Sequence, residues 1–256
     1  MCPFYSCVPR GSTTCATMSG MKQRDLQLKD WGVAPPKNSM WPVWAGMVGA
    51  AAIGGVSFLV AFRLLNGQWS LVSPVAFILG WLIVSAVRFR DPGKRWLKVH
   101  SARPPASGEA ARLMNVVRGL SDDLGIPAPR VLIIDGGPPN LMVTGGRRAA
   151  VAVRKSFAEE ASRTETEAAV AFCLGRIASG EARRTTALLT GSPMRPQRVG
   201  LSLDVVAVSI TRYPPGLIKA LERCEPATGR DAALWFCGAP PTHDEASERI
   251  EALADL

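Results

Sequence analysis

The sequence predicts an α+β protein, with an N-terminal two-helix transmembrane hairpin leading into a mainly helical domain that carries a small β-sheet. Three observations carry this. Residues 41–62 and 70–87 contain no charged side chain. Downstream, apolar residues recur at three- and four-residue intervals in several segments, the period of amphipathic helices. Among those helical patterns lie three short apolar runs bounded by glycine, proline or basic turns, which read as strands.

The chain has 256 residues and a formal net charge of +9. Such a balance invites nucleic-acid binding, but the basic residues gather beside the apolar stretches, as flanks of membrane spans do. Nucleic acid is therefore not expected as a partner, and the lipid bilayer is. The six cysteines are Cys2, Cys7, Cys15, Cys173, Cys224 and Cys237, and no two form a C-x-x-C pair. That spacing argues against a zinc ribbon and against a dense disulfide framework, and it fits a reducing compartment.

In chain order, residues 1–37 read as a disordered basic leader, with Met18 and Met21 offering later starts. No apolar core follows Arg10, so a signal peptide is not expected. Residues 38–90 form the hairpin. At 1.5 Å per residue each uncharged run approaches the ~30 Å of a hydrocarbon core. Trp41, Trp44 and Trp69 suit the interfaces, and Pro74 sits early in the second span, where its missing N–H costs least. Lys22, Arg24, Lys29 and Lys37 precede the hairpin and Arg88, Arg90, Lys94, Arg95 and Lys98 follow it, whereas the loop holds only Arg63. This bias predicts a multi-pass protein of the cell membrane, with both ends and the soluble domain cytoplasmic.

Residues 91–108 read as a linker, with a hinge at Pro104-Pro105-Ala106-Ser107-Gly108. The soluble domain then spans 109–256. Its first helix, 109–124, places Ala110, Leu113, Val116, Val117, Leu120 and Leu124 on one face and is stopped by Gly125-Ile126-Pro127. Strands follow at 130–135, 140–144 and 149–154, the last two joined by Gly145-Gly146-Arg147-Arg148. A helix from Glu165 buries Ala168, Ala169, Phe172, Cys173 and Ile177. Beyond Arg183-Arg184 comes a connection bearing Gly and Pro that ends near Gln197, then helices at 199–210, 217–224 and 245–253.

Six segments, in order, resemble the HtpX-type membrane metallopeptidases. They are the hairpin; Gly125-Ile-Pro-Ala-Pro129 with its strand; Pro139-Asn-Leu-Met-Val-Thr-Gly145, similar to P-N-A-F-A-T-G; and Glu165-Thr-Glu-Ala-Ala-Val-Ala-Phe-Cys-Leu-Gly-Arg176, similar to E-x-E-A-V-x-A-H-E-L-G-H. The last two are the helix around Asp204 with its continuation through Pro214-Pro215-Gly216-Leu217, and Thr242-His243 through Arg249-Ile250. The resemblance covers most of residues 41–253 and implies a metallopeptidase-like domain in which zinc is the cofactor of active relatives.

The chemistry is where the chain departs. The two zinc histidines of the family fall on Phe172 and Arg176, its catalytic glutamate on Cys173 and its third ligand on Gly200. A phenyl ring has no lone pair, and a guanidinium repels a dication. No cofactor is therefore expected. Asn140 is expected to hold the turn into the cleft strand, Asp204 to cap or bond across to the former zinc helix, and His243 to be a structural histidine. Arg249 is expected on a solvated helix face with Glu248 or Glu251. Two other readings are a replacement metal site from Cys173, Cys224, Cys237 and His243, and a Cys173 nucleophile with His243 as base.

The resemblance then implies a membrane-anchored pseudoprotease, a binding or regulatory protein in membrane protein quality control. A membrane protease or membrane-protein clients are the expected partners, and an extended peptide added to a sheet edge is the expected binding mode. An active membrane metalloendopeptidase and a structural subunit of a membrane complex are the alternatives.

Overall fold

The computed structural model describes residues 55–56, 91–146, 148–191, 200–240 and 244–255. The leader, nearly all of the hairpin, and His243 lie outside the described residues. Among the described residues no helix is long and apolar enough to cross a membrane.

From residue 91 onward the chain opens with a helix where a linker was expected. Helix α1, Pro92–Val99, has proline at its first position, where the missing N–H is harmless, and it buries Pro92, Gly93 and Leu97. The packing is close enough that a Cβ on Gly93 would stand 3.1 Å from Thr144 Oγ1. A charged, tryptophan-bearing octapeptide gives little periodic signal, so tertiary contact rather than local pattern makes this segment part of the domain. The hinge is also tied down. Arg103 pairs by its backbone with Ile133, and its guanidinium forks to Glu109 at 2.7 Å and to Asp135 at 2.6 and 2.8 Å.

Helix α2, Ala111–Asp123, leads to strands β1 (Arg130–Ile134), β2 (Leu141–Thr144) and β3 (Ala150–Arg154). The sheet order is β1-β3-β2, with β1 parallel to β3 and β2 antiparallel to it. Strand residues alternate between two cores, as a two-residue period requires. Ile133, Leu141, Val143, Val151 and Val153 face one core with α2 and the central helix, while Leu132, Ile134, Met142, Ala150 and Ala152 face another with Leu97, Leu189 and Trp235. Burial on both faces explains why these strands are continuous apolar runs.

After the short helix α3, Lys155–Glu160, comes the central helix α4, Arg163–Ala178. Ser162 caps it by accepting from the Glu165 N–H, and the helix is buried almost all round. Its small residues admit a neighbour: a Cβ on Gly175 would touch Val206 Cγ1 at 3.2 Å, on helix α6 (Leu201–Thr211). Gly180, at φ 74°, then turns the chain into α5, Glu181–Gly191. The sequence had read a connection beyond Arg184. The buried face of α5 mixes Leu188 and Leu189 with Ala182, Thr185, Thr186, Ala187 and Thr190, and the threonines mute the helical pattern. Its threonines return hydroxyl bonds to the preceding turn, Thr186 to the Ala182 carbonyl at 2.6 Å and Thr190 to that of Thr186 at 2.9 Å. Helix α7 (Pro214–Arg223), a 3-10 turn at Ala232–Leu234 and helix α8 (Ala246–Ala254) complete the described fold. Helix and small sheet together make an α+β domain.

Candidate functional site

The site is organised by α4, which the sheet covers on one side and α6 on another. Phe172, Cys173 and Arg176 lie on it, and each is 0% exposed. The Phe172 ring meets Phe236 edge-on, with centroids 5.2 Å apart. Over both rings lies the guanidinium of Arg249, 4.8 Å from the Phe172 centroid and 5.3 Å from that of Phe236.

Arg249 corrects the expectation of a solvated helix face. It is fully buried and donates Nε to Asp204 Oδ2 at 2.8 Å, Nη2 to Asp204 Oδ1 at 2.7 Å and Nη1 to the Phe236 carbonyl at 3.1 Å. Glu248 and Glu251 stay exposed, because the helix buries the Arg249 side and leaves them outside. Asp204 likewise bonds to α8 rather than to α4, and both side chains of the pair are 1% exposed. The bidentate fork is the geometry in which a buried pair can offset its desolvation.

Arg176 is the second buried cation. It donates Nε to Glu181 Oε2 at 2.5 Å, Nη2 to Glu181 Oε1 at 3.2 Å and to the Ala233 carbonyl at 2.5 Å, and Nη1 to the Trp235 carbonyl at 3.2 Å. Thr185 also donates to Glu181. The guanidinium therefore fastens α4 to α5 and to the 232–235 segment.

Asn140 does more than hold its turn. Its Nδ2 donates to the carbonyls of Glu225 and Cys237, both at 2.8 Å, and its Oδ1 accepts from the N–H groups of Leu141 and Cys237. Every polar atom of the amide is occupied, and the side chain is 2% exposed. The outer edge of β2, one of the two sheet edges open to an added peptide by strand order, is already partly taken. Phe236 N–H donates to the Leu141 carbonyl at 2.7 Å, and Met142 bridges Trp235. The sequence hid this because Leu234-Trp-Phe236 is too short to signal a partner strand.

Among the described residues the cysteines offer no reactive thiol. Burial pushes the Cys173 thiol up to about 12 against the opposing pull of Arg176 and Arg249, and burial raises Cys224 and Cys237 as well. All three sit in the same core as free thiols. A zinc ion does not fit the residues present around α4: a phenyl ring, two guanidiniums with no lone pair to offer, and protonated thiols. A side chain at Gly200 would meet Asp244, since a Cβ there would lie 2.2 Å from Asp244 Oδ2. Among the described residues no group of three or more His, Cys, Asp or Glu could hold a metal.

Sequence reasoning missed one cluster. His100 Nε2 lies 2.7 Å from Asp231 Oδ2, which also accepts from Trp235 Nε1 at 3.0 Å, and the Arg154 guanidinium stands 4.7 Å over the Trp235 ring. Its members are far apart in the chain, so no spacing could reveal it. A shallow cleft of about 430 Å³ opens elsewhere, between α2 and the start of α4, lined by Asn115, Leu120, Arg163 and Glu167 among others.

No family model matches the chain. It is similar to curated relatives named "Protease HtpX homolog". It is 29% identical to that of Dictyoglomus turgidum over 141 residues, covering 51% of this chain and 46% of the relative. It is 29% identical to that of Dictyoglomus thermophilum over 135 residues, 50% of this chain and 44% of the relative. Over a shorter stretch of 80 residues, 30% of this chain and 27% of the relative, it is 35% identical to that of Thermococcus sibiricus. The chain thus spans less than half the length of these relatives. A solved structure, "Crystal Structure of S. mikatae Ste24p", aligns over 94% of this chain and 76% of that one at 16% identity and a TM-score of 0.39. Over about half of its length, the chain is similar to HtpX-like proteases.

Proposed function

We propose that this protein is a membrane-anchored pseudoprotease, an HtpX-like chain that acts by binding rather than by cleaving. One observation carries the reading. The two α4 positions that the resemblance assigns to zinc histidines are Phe172 and Arg176, both fully buried, with the arginine bonded to Glu181, Ala233 and Trp235. Neither stands ready to bind a dication, and a second guanidinium, that of Arg249, fills the space over Phe172. The fold keeps the zinc helix as a packing element.

In this reading the uncharged stretches 41–62 and 70–87 anchor the chain in the cell membrane with the domain on the cytoplasmic side. Its partner is a membrane protease or a membrane-protein client, in a regulatory or quality-control role. Binding by strand addition at β2 would require displacement of Trp235 and Phe236. The names of the relatives favour the competing reading, an active metalloendopeptidase. The full chain in detergent, assayed on casein with and without a chelator, separates the two. No chelator-sensitive hydrolysis is expected, and chelator-sensitive cleavage would overturn the proposal.

A further inference from the structure

We infer that the corner where α1, the β2–β3 turn and α5 meet is a docking surface for an anionic phospholipid leaflet. Three segments distant in sequence converge there. A Cβ on Gly145 would fall 2.2 Å from the Arg183 backbone, and one on Gly146 would stand 3.3 Å from Asp91 Oδ1. The Gly145 N–H donates to Thr186 Oγ1 at 2.9 Å, and Trp96 Nε1 donates to Thr190 Oγ1 at 3.3 Å. Around this junction Lys94, Arg95, Lys98, Arg148, Arg183 and Arg184 are all exposed.

The corner holds little to neutralise them. Its carboxylates are Asp91, which lies 3.6 Å from Lys94, Glu181, which is engaged by the buried Arg176, and Asp231, which is engaged by His100 and Trp235. Among the described residues no carboxylate pairs with Arg95, Lys98, Arg148, Arg183 or Arg184. Many exposed acids, among them Asp122, Asp123, Glu159, Glu160, Glu222, Glu248 and Glu251, lie on α2, α3, α7 and α8. Those helices pack in the core on the other side of the sheet from Leu97 of α1 and Leu189 of α5. Arg112, Arg118, Lys155 and Lys219 share α2, α3 and α7 with those acids, whereas the corner's cations have no such company.

Two features choose the partner. The uncharged run 70–87 stops just before α1, so the basic corner is the part of the domain next to it in the chain. Val99, at the end of α1, is 62% exposed among these cations, the mixed apolar and basic surface that an anionic interface accepts. An RNA surface would instead interleave exposed aromatic rings, and Trp96 is half-buried with its indole N–H bonded inward. Docking would hold the domain against the leaflet in one orientation. This inference rests on the membrane anchorage proposed above.

The test uses the full chain in nanodiscs of phosphatidylcholine, with or without phosphatidylglycerol, read by amide hydrogen exchange. Exchange in α1, the turn and α5 should slow in the anionic discs and not in the neutral ones, while α8 is unaffected. Each cation brought to an anionic surface shifts the docked equilibrium about fivefold. The triple variant R95Q/R183Q/R184Q, shown folded by circular dichroism, should lose on the order of a hundredfold and exchange alike in both discs. Identical exchange of the unmodified chain in both discs overturns the inference, as does protection by added RNA in neutral discs. Carbonate extraction tests the anchorage separately. A chain that carbonate releases contradicts the anchorage, and flotation with anionic vesicles then decides the docking surface by itself, absence of binding overturning it.

Discussion

Two groups of basic residues divide the work of this domain. Arg176 and Arg249 are 0% exposed and direct their guanidiniums at carboxylates and carbonyls inside the fold. Arg95, Arg148, Arg183 and Arg184 are exposed at one corner and pair with no carboxylate among the described residues. The same side chain is thus cement in one place and an open contact in the other. The difference is burial: a guanidinium withdrawn from water has to find partners within the fold, whereas one in water can await them.

This contrast sharpens if the buried pairs are broken. Asp204→Ala leaves the Arg249 charge buried without its partner and should cost about 3–5 kcal/mol, read as a drop in the denaturant midpoint. If Asp204→Leu combined with Arg249→Met costs as much as the single change, the pair is not acting as a coupled buried ion pair. A double variant of near-normal stability is expected. Next in size is Asn140→Ala, which removes the side-chain partner of the Glu225 carbonyl and of the Cys237 N–H, and leaves the Cys237 carbonyl with the Ala227 N–H alone. A loss of about 1–3 kcal/mol is expected, and a loss near zero would show that the clamp is redundant. Gly145→Ala should cost about as much by overpacking, since the new methyl meets the Arg183 backbone.

The smallest effect belongs to the exposed ion cluster at the hinge. The Arg103 guanidinium beside Glu109 holds its carboxyl at about 2, down from 4.5, and it lowers Asp135 as well. A carboxylate depressed in the folded state adds stability that is fully present above its unfolded value and fades as pH falls through the folded one. The window for Glu109 is therefore between about 4.5 and about 2. Arg103→Gln should flatten the pH dependence of the unfolding midpoint there by lowering neutral stability toward the acid value, and the drop should be small because the cluster is solvent-screened.

Much of the frame was legible. The small and apolar cadence of Glu165 to Ile177, the Gly-Pro stop after α2 and the apolar runs around Gly145 correspond to elements the structure contains. What escaped was made by tertiary contact. α1 reads as a charged linker because only Pro92, Gly93 and Leu97 face the core. α5 escaped because Ala182, Thr186 and Thr190 dilute the apolar signal of Leu188 and Leu189 on its inner side. Arg249 was misplaced because local spacing offers Glu248 and Glu251, while its partner Asp204 lies on another helix. Local patterns favour neighbours in sequence, and the site is built from residues far apart in it.

The central claim is that α4 has become a packing element, and bound zinc tests it most directly. Elemental analysis of the purified full chain should find no stoichiometric zinc. A folded Phe172→His/Arg176→His variant should bind none either, because Gly200 supplies no third ligand and Asp244 crowds its place. One zinc per chain in the unmodified protein would contradict the account.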